Sequence, residues 1–220
     1  SEFIEGQTLA GLLDRGALPY DVLLELFRIH GYFLFVRGEF HGDLHPGNVI
    51  WRDGHFWFLD NANIETVPPV FARALFDMMV ALGEGNLPRA AQRLVDVSTT
   101  PLTAKQHAAF KSDFSALYRD FAGRSVGDIS LTRQMMETVK AAVRCGLTFP
   151  RGAFPLIKSL MYLDGMVLRC DPRAVLLRDV ARFADDFAVI LGRKTSLHCD
   201  STPPAAFHPQ AFPAKRRVAT

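Results

Sequence analysis

The chain has 220 residues, of which 49% are apolar and 22% are charged, so it holds enough apolar material for a sizeable core. These proportions exclude a chain that is disordered throughout, and no apolar run approaches the roughly 20 residues of a membrane-spanning helix. The formal net charge is +2, but five basic residues and one acidic residue lie after position 192, which leaves residues 1–192 slightly acidic. A slightly acidic globular part argues against nucleic acid as a partner.

The cysteines and the first residues of the chain predict where the protein works. The cysteines are Cys145, Cys170 and Cys199. An odd number without C-x-x-C spacing argues against a disulfide framework and favours a reducing, cytoplasmic compartment. Glu2 and Glu5 stand where a signal peptide would be basic. We expect the basic, proline-containing tail at 193–220 to be disordered, with peripheral contact to an anionic membrane surface as its one candidate role.

Helical patterns dominate the chain after a short initial strand. Glu2–Gly6 has the pattern of a strand, and two helices, each followed by a glycine, are predicted at Thr8–Arg15 and Pro19–Arg37. An Asp-Gly pair between Val49–Arg52 and Phe56–Leu59 is typical of a β-hairpin. Periodicity and capping residues predict six further helices: one from Pro68, Leu87–Val97, one from Thr103, Ser130–Cys145, Ala153–Cys170 and Ala174–Leu191. The sequence therefore predicts a mainly α protein with one small hairpin and a C-terminal helical bundle.

Three polar residues around the hairpin predict a cation site. With a three-residue turn at 53–55, Asn48 lies opposite Asp60, and directly opposed residues project from the same face. A two-residue turn shifts the pairing by one position and keeps the two residues neighbours. An amide oxygen and a carboxylate at this spacing suit Mg²⁺, which prefers oxygen ligands. Asp43 lies five residues before Asn48, where a carboxylate can accept a proton from a hydroxyl or orient a nucleophile.

The order of these residues is that of a protein-kinase active site. Asp43, Asn48 and, after the hairpin, Asp60 correspond to the catalytic-loop Asp and to the two metal-binding residues of kinases. The segment His41–Asn48, which reads H-G-D-L-H-P-G-N, resembles the H-x-D-P-H-P-G-N block of the UbiB/AarF family of atypical kinases.

Three other segments extend this resemblance along the chain. Glu2–Gly6 resembles the hinge strand of the family, Gly38–His41 its G-x-F-H segment, and Ile157–Pro172 its late helix. The resemblance covers roughly residues 2–191 and leaves the tail unmatched. It implies a protein-kinase-like C-lobe over residues 1–192, made of the hinge strand, the catalytic loop and a helical subdomain.

The resemblance also implies an activity, its cofactors and its partners. The family is linked to ubiquinone biosynthesis, so the expected chemistry is Mg-ATP phosphoryl transfer or ATP hydrolysis. Asp43 would orient or deprotonate the acceptor, while Asn48 and Asp60 would hold Mg²⁺ on the phosphates of ATP. The acceptor that the family would imply is a small molecule or a lipid precursor.

Two departures from the family pattern affect the expected activity. The D-F-G triplet is replaced by Asp60-Asn61-Ala62, which keeps the metal-binding carboxylate and loses the Phe and Gly on which a conformational switch would depend. The phosphate-covering loop and the ATP-pairing Lys would precede the hinge strand. We therefore expect the chain to be the C-lobe of a longer polypeptide that is inactive by itself, with nucleotide contacts from the hinge backbone of Phe3, Ile4 and Glu5.

Three alternative functions fit the same residues. Small-molecule phosphotransferases of the aminoglycoside or choline kinase kind share the H-G-D-L-H-P-G-N pattern, and Asn61–Ala62 favours a catalytically inactive pseudokinase scaffold. His41 and His45, with Asp43 between them, have a spacing that a zinc hydrolase could use. Pro46 argues against a continuous helix that presents both imidazoles. We therefore expect both histidines to support the catalytic loop through hydrogen bonds to its backbone.

Overall fold

Eight α-helices and five short strands form the part of the chain that the computed structural model describes, residues 5–121 and 123–190. The predicted mainly α class is thereby confirmed. The hinge residues Phe3 and Ile4 and the predicted tail at 193–220 lie outside the described residues. None of the described helices combines the length and the hydropathy that a bilayer crossing requires.

The helices lie close to their predicted positions. The strands are β1 Gln7–Thr8, β2 Glu39–His41, β3 Val49–Arg52, β4 His55–Phe58 and β5 Ile64–Thr66. The helices are α1 Leu9–Asp14, α2 Tyr20–Gly31, α3 Pro69–Gly83, α4 Leu87–Asp96, α5 Ala104–Tyr118, α6 Leu131–Arg144, α7 Ala153–Cys170 and α8 Leu176–Ile190. Helix α8 begins after the predicted Ala174, because the amide of Ala174 closes a turn onto the carbonyl of Asp171 at 3.1 Å.

The β3–β4 hairpin has a tighter turn than the three-residue turn used to predict its register. Val49 pairs with Phe58 and Arg52 with His55, so Asp53 and Gly54 alone form the turn. Their φ angles of 51° and 77° are both positive, as a type I′ turn requires. Asn48 therefore lies opposite Leu59, whose amide donates to the Asn48 carbonyl at 2.8 Å.

Residues 2–4 of the strand predicted at Glu2–Gly6 lie outside the described residues, and Glu5 and Gly6 do not belong to a strand. Strand β1 is Gln7–Thr8, and it pairs antiparallel with β3. Glu5 is exposed and outside β1, and its carbonyl accepts a hydrogen bond from Nη1 of Arg52 at 3.1 Å. The side chain of Thr8 accepts from the amide of Gly11 and thus caps α1.

The helix predicted at Pro19–Arg37 consists of two parts. Helix α2 ends at Gly31, and a π-helix over Tyr32–Arg37 continues to Gly38, whose φ of 69° stops it. Gly31 allows close packing of α8, because a Cβ at this position would lie 2.9 Å from the ring of Phe187. The wider π turn places the side chain of Phe35 against Phe187, with ring centroids 6.0 Å apart.

Helix α7 contributes to two hydrophobic clusters and lies behind the hairpin. Leu163 and Val167 pack with α1, α2 and Val49 of β3, and Leu156 packs with a second cluster that contains Phe40 of β2. The first cluster also contains Leu44, a fully buried residue of the loop between β2 and β3. This loop is therefore anchored to the helical core by an apolar side chain.

A buried carboxylate connects α7 to the start of α6. Asp164 is 3% exposed, and its Oδ2 accepts hydrogen bonds from the amide of Thr132 at 2.9 Å and from the hydroxyl of Ser130 at 3.3 Å. An acceptor at this place satisfies a backbone amide that has no partner inside its own helix. Asp164 belongs to the late-helix motif, and its role in this structure is to join two helices.

We expect Asp164→Ala to lower the free energy of unfolding by about 1–3 kcal/mol, because the buried amide of Thr132 loses its acceptor. Chemical denaturation of the purified chain measures this change. Asp120→Ala removes an exposed carboxylate and should change stability by about 0.5 kcal/mol or less. Equal losses in the two variants would contradict the role given to Asp164.

Candidate active site

Two loops meet where the two small sheets adjoin. The first, residues 42–48, connects β2 to β3, and the second, residues 59–63, connects β4 to β5. His41 pairs with Ile64 in one sheet, and Val49 pairs with Phe58 in the other. The residues that flank the first loop are therefore paired with the residues that flank the second, and the two loops lie side by side. The pairing of β2 with β5 was not anticipated from the sequence, because three-residue strands carry too little alternation to be seen.

Gly42 allows the two loops to touch. Its amide donates to the carbonyl of Asn63 at 2.7 Å. A Cβ on Gly42 would lie 2.6 Å from Cγ of Glu65 and 3.2 Å from the Asn63 oxygen. A larger residue would therefore push the second loop away from the first.

His41 holds the two loops together through its side chain. The ring is 6% exposed, and Nε2 lies 2.8 Å from the carbonyl oxygen of Leu59. Nδ1 accepts a hydrogen bond from the amide of Asp43 at 3.2 Å. This pair of bonds requires the neutral ring with its proton on Nε2, because a carbonyl only accepts and an amide only donates.

Asp43 and Asn48 are hydrogen-bonded within the first loop. Nδ2 of Asn48 donates to the backbone oxygen of Asp43 at 3.0 Å and to its Oδ2 at 3.3 Å. These bonds fix the amide group so that Oδ1 of Asn48 remains as the oxygen acceptor. The geometry therefore presents one amide oxygen beside one carboxylate.

Asp60 follows directly after the residue that pairs with Asn48. Its backbone is left-handed, with φ 55° and ψ 49°, a conformation that costs energy in a residue other than glycine. Its Oδ2 accepts a hydrogen bond from Nδ2 of Asn63 at 2.6 Å. The second loop is therefore closed by a local bond that involves the carboxylate itself.

His45 supports the end of the first loop. Its Nδ1 accepts a hydrogen bond from the amide of Gly47 at 3.1 Å, which caps the short 3-10 turn at Pro46–Asn48. Its ring lies edge-on to Tyr162 of α7, with centroids 5.2 Å apart. The imidazole thus contacts the late helix and leaves Asp43 to a different partner.

That partner is Lys158 of α7, a residue that sequence reasoning did not select. Its Nζ lies 2.7 Å from Oδ1 of Asp43. The hydrogen bond from the Lys158 ammonium holds the pKa of the Asp43 carboxyl below its usual range, and Asp43 in turn raises the pKa of Lys158. A signal was present in the sequence, because Lys158 and Asp164 are the two charges that interrupt the apolar stretch Phe154–Leu168.

The zinc alternative finds little support in this geometry. Both ring nitrogens of His41 are engaged with backbone atoms, and Nδ1 of His45 caps a turn. Among residues 5–121 and 123–190, no three His, Cys, Asp or Glu side chains are arranged to hold a metal ion. Oxygen donors from Asn48 and Asp60 remain, and these suit Mg²⁺.

Glu5 is the one predicted hinge residue that the structure describes, and it lies near the turn of the β3–β4 hairpin. Glu5 contacts Arg52 beside the turn, while Asn48 and Asp60 flank the opposite end of β3 and β4. Strand β3 has four residues, so the two ends are about 13 Å apart at 3.3 Å per residue. Glu5 is therefore not in contact with the predicted metal ligands.

Comparison with known proteins gives distant similarity only. No family model matches the chain. The chain is 21% identical over 139 residues to an uncharacterized protein in the hydrogenase 1 5′ region of Clostridium pasteurianum, and this alignment covers 63% of the chain and 26% of that protein. It is 26% identical over 141 residues to the uncharacterized protein slr0889 of Synechocystis sp., and this alignment covers 64% of the chain and 34% of that protein. The aligned part of the chain spans about a quarter of the first of these curated relatives and about a third of the second.

We expect Lys158→Met to raise the pKa of Asp43, because the ammonium that stabilises the carboxylate is removed. Lys158→Arg should keep the pKa low, since a guanidinium can donate the same bond. The measurement is a titration of the Asp43 carboxyl carbon by NMR.

Lys140→Met is the matched control, because Lys140 pairs with Glu137 at 2.8 Å on the surface of α6. That variant should leave the Asp43 pKa unchanged. An Asp43 pKa that does not move in Lys158→Met would show that the ion pair has no influence on the carboxyl.

Proposed function

We propose that this chain carries the C-lobe of a UbiB/AarF-like atypical kinase or ATPase that uses Mg-ATP. The observation that carries the proposal is the bonded pair of Asp43 and Asn48 in one loop, joined through His41 to the loop that holds Asp60. The three residues that kinase chemistry requires come from two adjoining loops of this fold. Nucleotide is the first partner under this proposal, and an acceptor of small-molecule or lipid-precursor chemistry is the second.

Asn48 and Asp60 are the proposed metal ligands. Oδ1 of Asn48 lies outside the bonds that fix its amide, and Asp60 uses Oδ2 for its contact with Asn63. Each residue therefore retains an oxygen for Mg²⁺, which neutralises charge on the phosphates of a bound nucleotide.

Asp43 is the proposed acceptor-facing residue. Because Lys158 lowers the pKa of its carboxyl, Asp43 is ionised at neutral pH and is a weak base. It would therefore orient an acceptor hydroxyl or a water molecule by accepting a hydrogen bond, and take the proton only as the new bond to phosphorus forms. Lys158 is a positioning residue in this scheme, since it fixes Oδ1 and leaves Oδ2 toward Asn48.

A catalytically inactive scaffold is the second candidate. Its support is the 2.6 Å bond between Asn63 and Oδ2 of Asp60, together with Asn61 and Ala62 in place of the Phe and Gly of the kinase triplet. A carboxylate that stays bound to Asn63 through Oδ2 has one oxygen, not two, for a metal ion. The two candidates therefore differ in ATP turnover by the unsubstituted protein: a kinase or ATPase turns ATP over, and a scaffold does not.

We expect Asp43→Asn, made in the complete polypeptide that contains this chain, to lower ATP turnover by roughly 10²–10⁴-fold. The change keeps the size of the side chain and removes its charge. Asp53→Asn at the hairpin turn is the control, because Asn tolerates the positive φ of that position.

The control should retain full turnover, and both variants should unfold within about 0.5 kcal/mol of the parent protein. Unchanged turnover in Asp43→Asn would remove this residue from the chemistry. A parent protein that neither hydrolyses ATP nor transfers its phosphoryl group would favour the scaffold.

A further inference from the structure

A large apolar cavity lies inside the helical part, away from the two loops. Its volume is about 640 Å³, within the range of small-molecule sites. Its walls come from helices α2 to α8 and from the π-helix at Tyr32–Arg37. The lining also includes Glu84 and Arg89, an ion pair at the surface with a 2.6 Å contact, so one part of the cavity reaches solvent. A void of this size that stayed empty would forfeit dispersion contacts along its entire wall.

One polar atom in the wall has no hydrogen-bond partner. Among the described residues, three buried side-chain atoms lack a partner: His30 Nε2, Ser159 Oγ and Asp164 Oδ1. Of these, His30 lines the cavity, and its side chain is 6% exposed. Tyr118 and Thr138, which also belong to the wall, bond to each other at 2.9 Å. Because His30 belongs to the cavity wall and its Nε2 has no partner, this ring is the place in the wall where a ligand would supply a missing bond.

The charge state of His30 restricts the ligand. Burial, and to a smaller extent the neighbouring His41, lower the pKa of His30 to about 4. The ring is therefore neutral at pH 7, and an uncharged hydroxyl or carbonyl group is its suitable partner. A carboxylate would have to enter an apolar space whose one lining cation, Arg89, is already paired with Glu84.

The rest of the wall suits a flexible chain. Met78, Met79 and Met135 line the cavity, and methionine side chains adapt to irregular apolar shapes. Phe76 and Phe187, with ring centroids 6.3 Å apart, form a more rigid part of the wall. An aliphatic chain can fill the space between them without a fixed shape of its own.

We propose that this cavity binds an uncharged single-chain amphiphile, a long hydrocarbon chain with one hydroxyl or carbonyl group, and that His30 forms the hydrogen bond to its polar end. The site is separate from the two loops, and it does not depend on ATP chemistry. Its occupant is recognised by apolar volume and by one hydrogen bond.

The first test is saturable binding of 1,6-diphenylhexatriene, a hydrocarbon fluorophore that emits in apolar surroundings. One molecule should bind per chain, and 1-decanol should displace it.

Met135→Trp, which fills the cavity from α6, should weaken binding at least tenfold. Met136→Trp changes the next residue, which is 37% exposed and outside the lining, and should bind as the parent does. If Met135→Trp does not fold, Leu75→Phe fills the cavity from α3 with fewer added atoms.

The second test concerns the polar end. His30→Phe keeps an aromatic ring and removes the nitrogen, so the hydrocarbon probe should bind within about twofold of the parent. Displacement by 1-decanol should require roughly 3- to 10-fold more alcohol, as the loss of one hydrogen bond predicts. Probe binding that does not saturate, or equal effects of the two Trp variants, would overturn the cavity site. Unchanged displacement by decanol in His30→Phe would overturn the role of His30.

Discussion

The arrangement of the candidate site depends on the two hydrogen bonds of His41. One joins its Nε2 to the carbonyl of Leu59, and the other joins its Nδ1 to the amide of Asp43. The ring is buried, so neither bond competes with solvent, and both are stronger for that reason. Two backbone hydrogen bonds also join the loop before β3 to the loop after β4, from the amide of Gly42 to the carbonyl of Asn63 and from the amide of Leu59 to the carbonyl of Asn48. The neutral imidazole of His41 adds the side-chain link between the loop of Asp60 and the amide of Asp43.

Helix α7 links this site to the remainder of the fold. On one face Lys158 pairs with Asp43, and Tyr162 packs against His45. On its buried face Leu163 packs against the core behind the hairpin, and Asp164 holds the start of α6. Any displacement of this helix would therefore change both the ionisation of Asp43 and the packing of the bundle. A helix that serves the core and the site together explains why charged residues interrupt its apolar pattern.

The sequence predicted the helices well, because glycines, capping residues and 3.6-residue periodicity are local signals. It placed Asp43, Asn48 and Asp60 in two neighbouring loops for a similar reason, since Asp-Gly defines a hairpin. Of the two registers considered, the structure has the one with the two-residue turn, because Asp53 and Gly54 both adopt positive φ. The bond between Lys158 and Asp43 joins residues 115 positions apart in the chain, and no local pattern reports such a contact. The cavity beside His30 likewise arises only when helices from distant parts of the chain pack together.

The central claim is that oxygens of Asn48 and Asp60 face one cation bound with a nucleotide. Mn²⁺ with ATP, added to the ¹⁵N-labelled chain, tests it directly, because a paramagnetic ion broadens amide signals near its site even when binding is weak. The account predicts that broadening is strongest at residues 42–48 and 59–63, and that it is lost in Asn48→Ala and in Asp60→Ala. Broadening centred elsewhere, or broadening that survives both substitutions, would contradict the account.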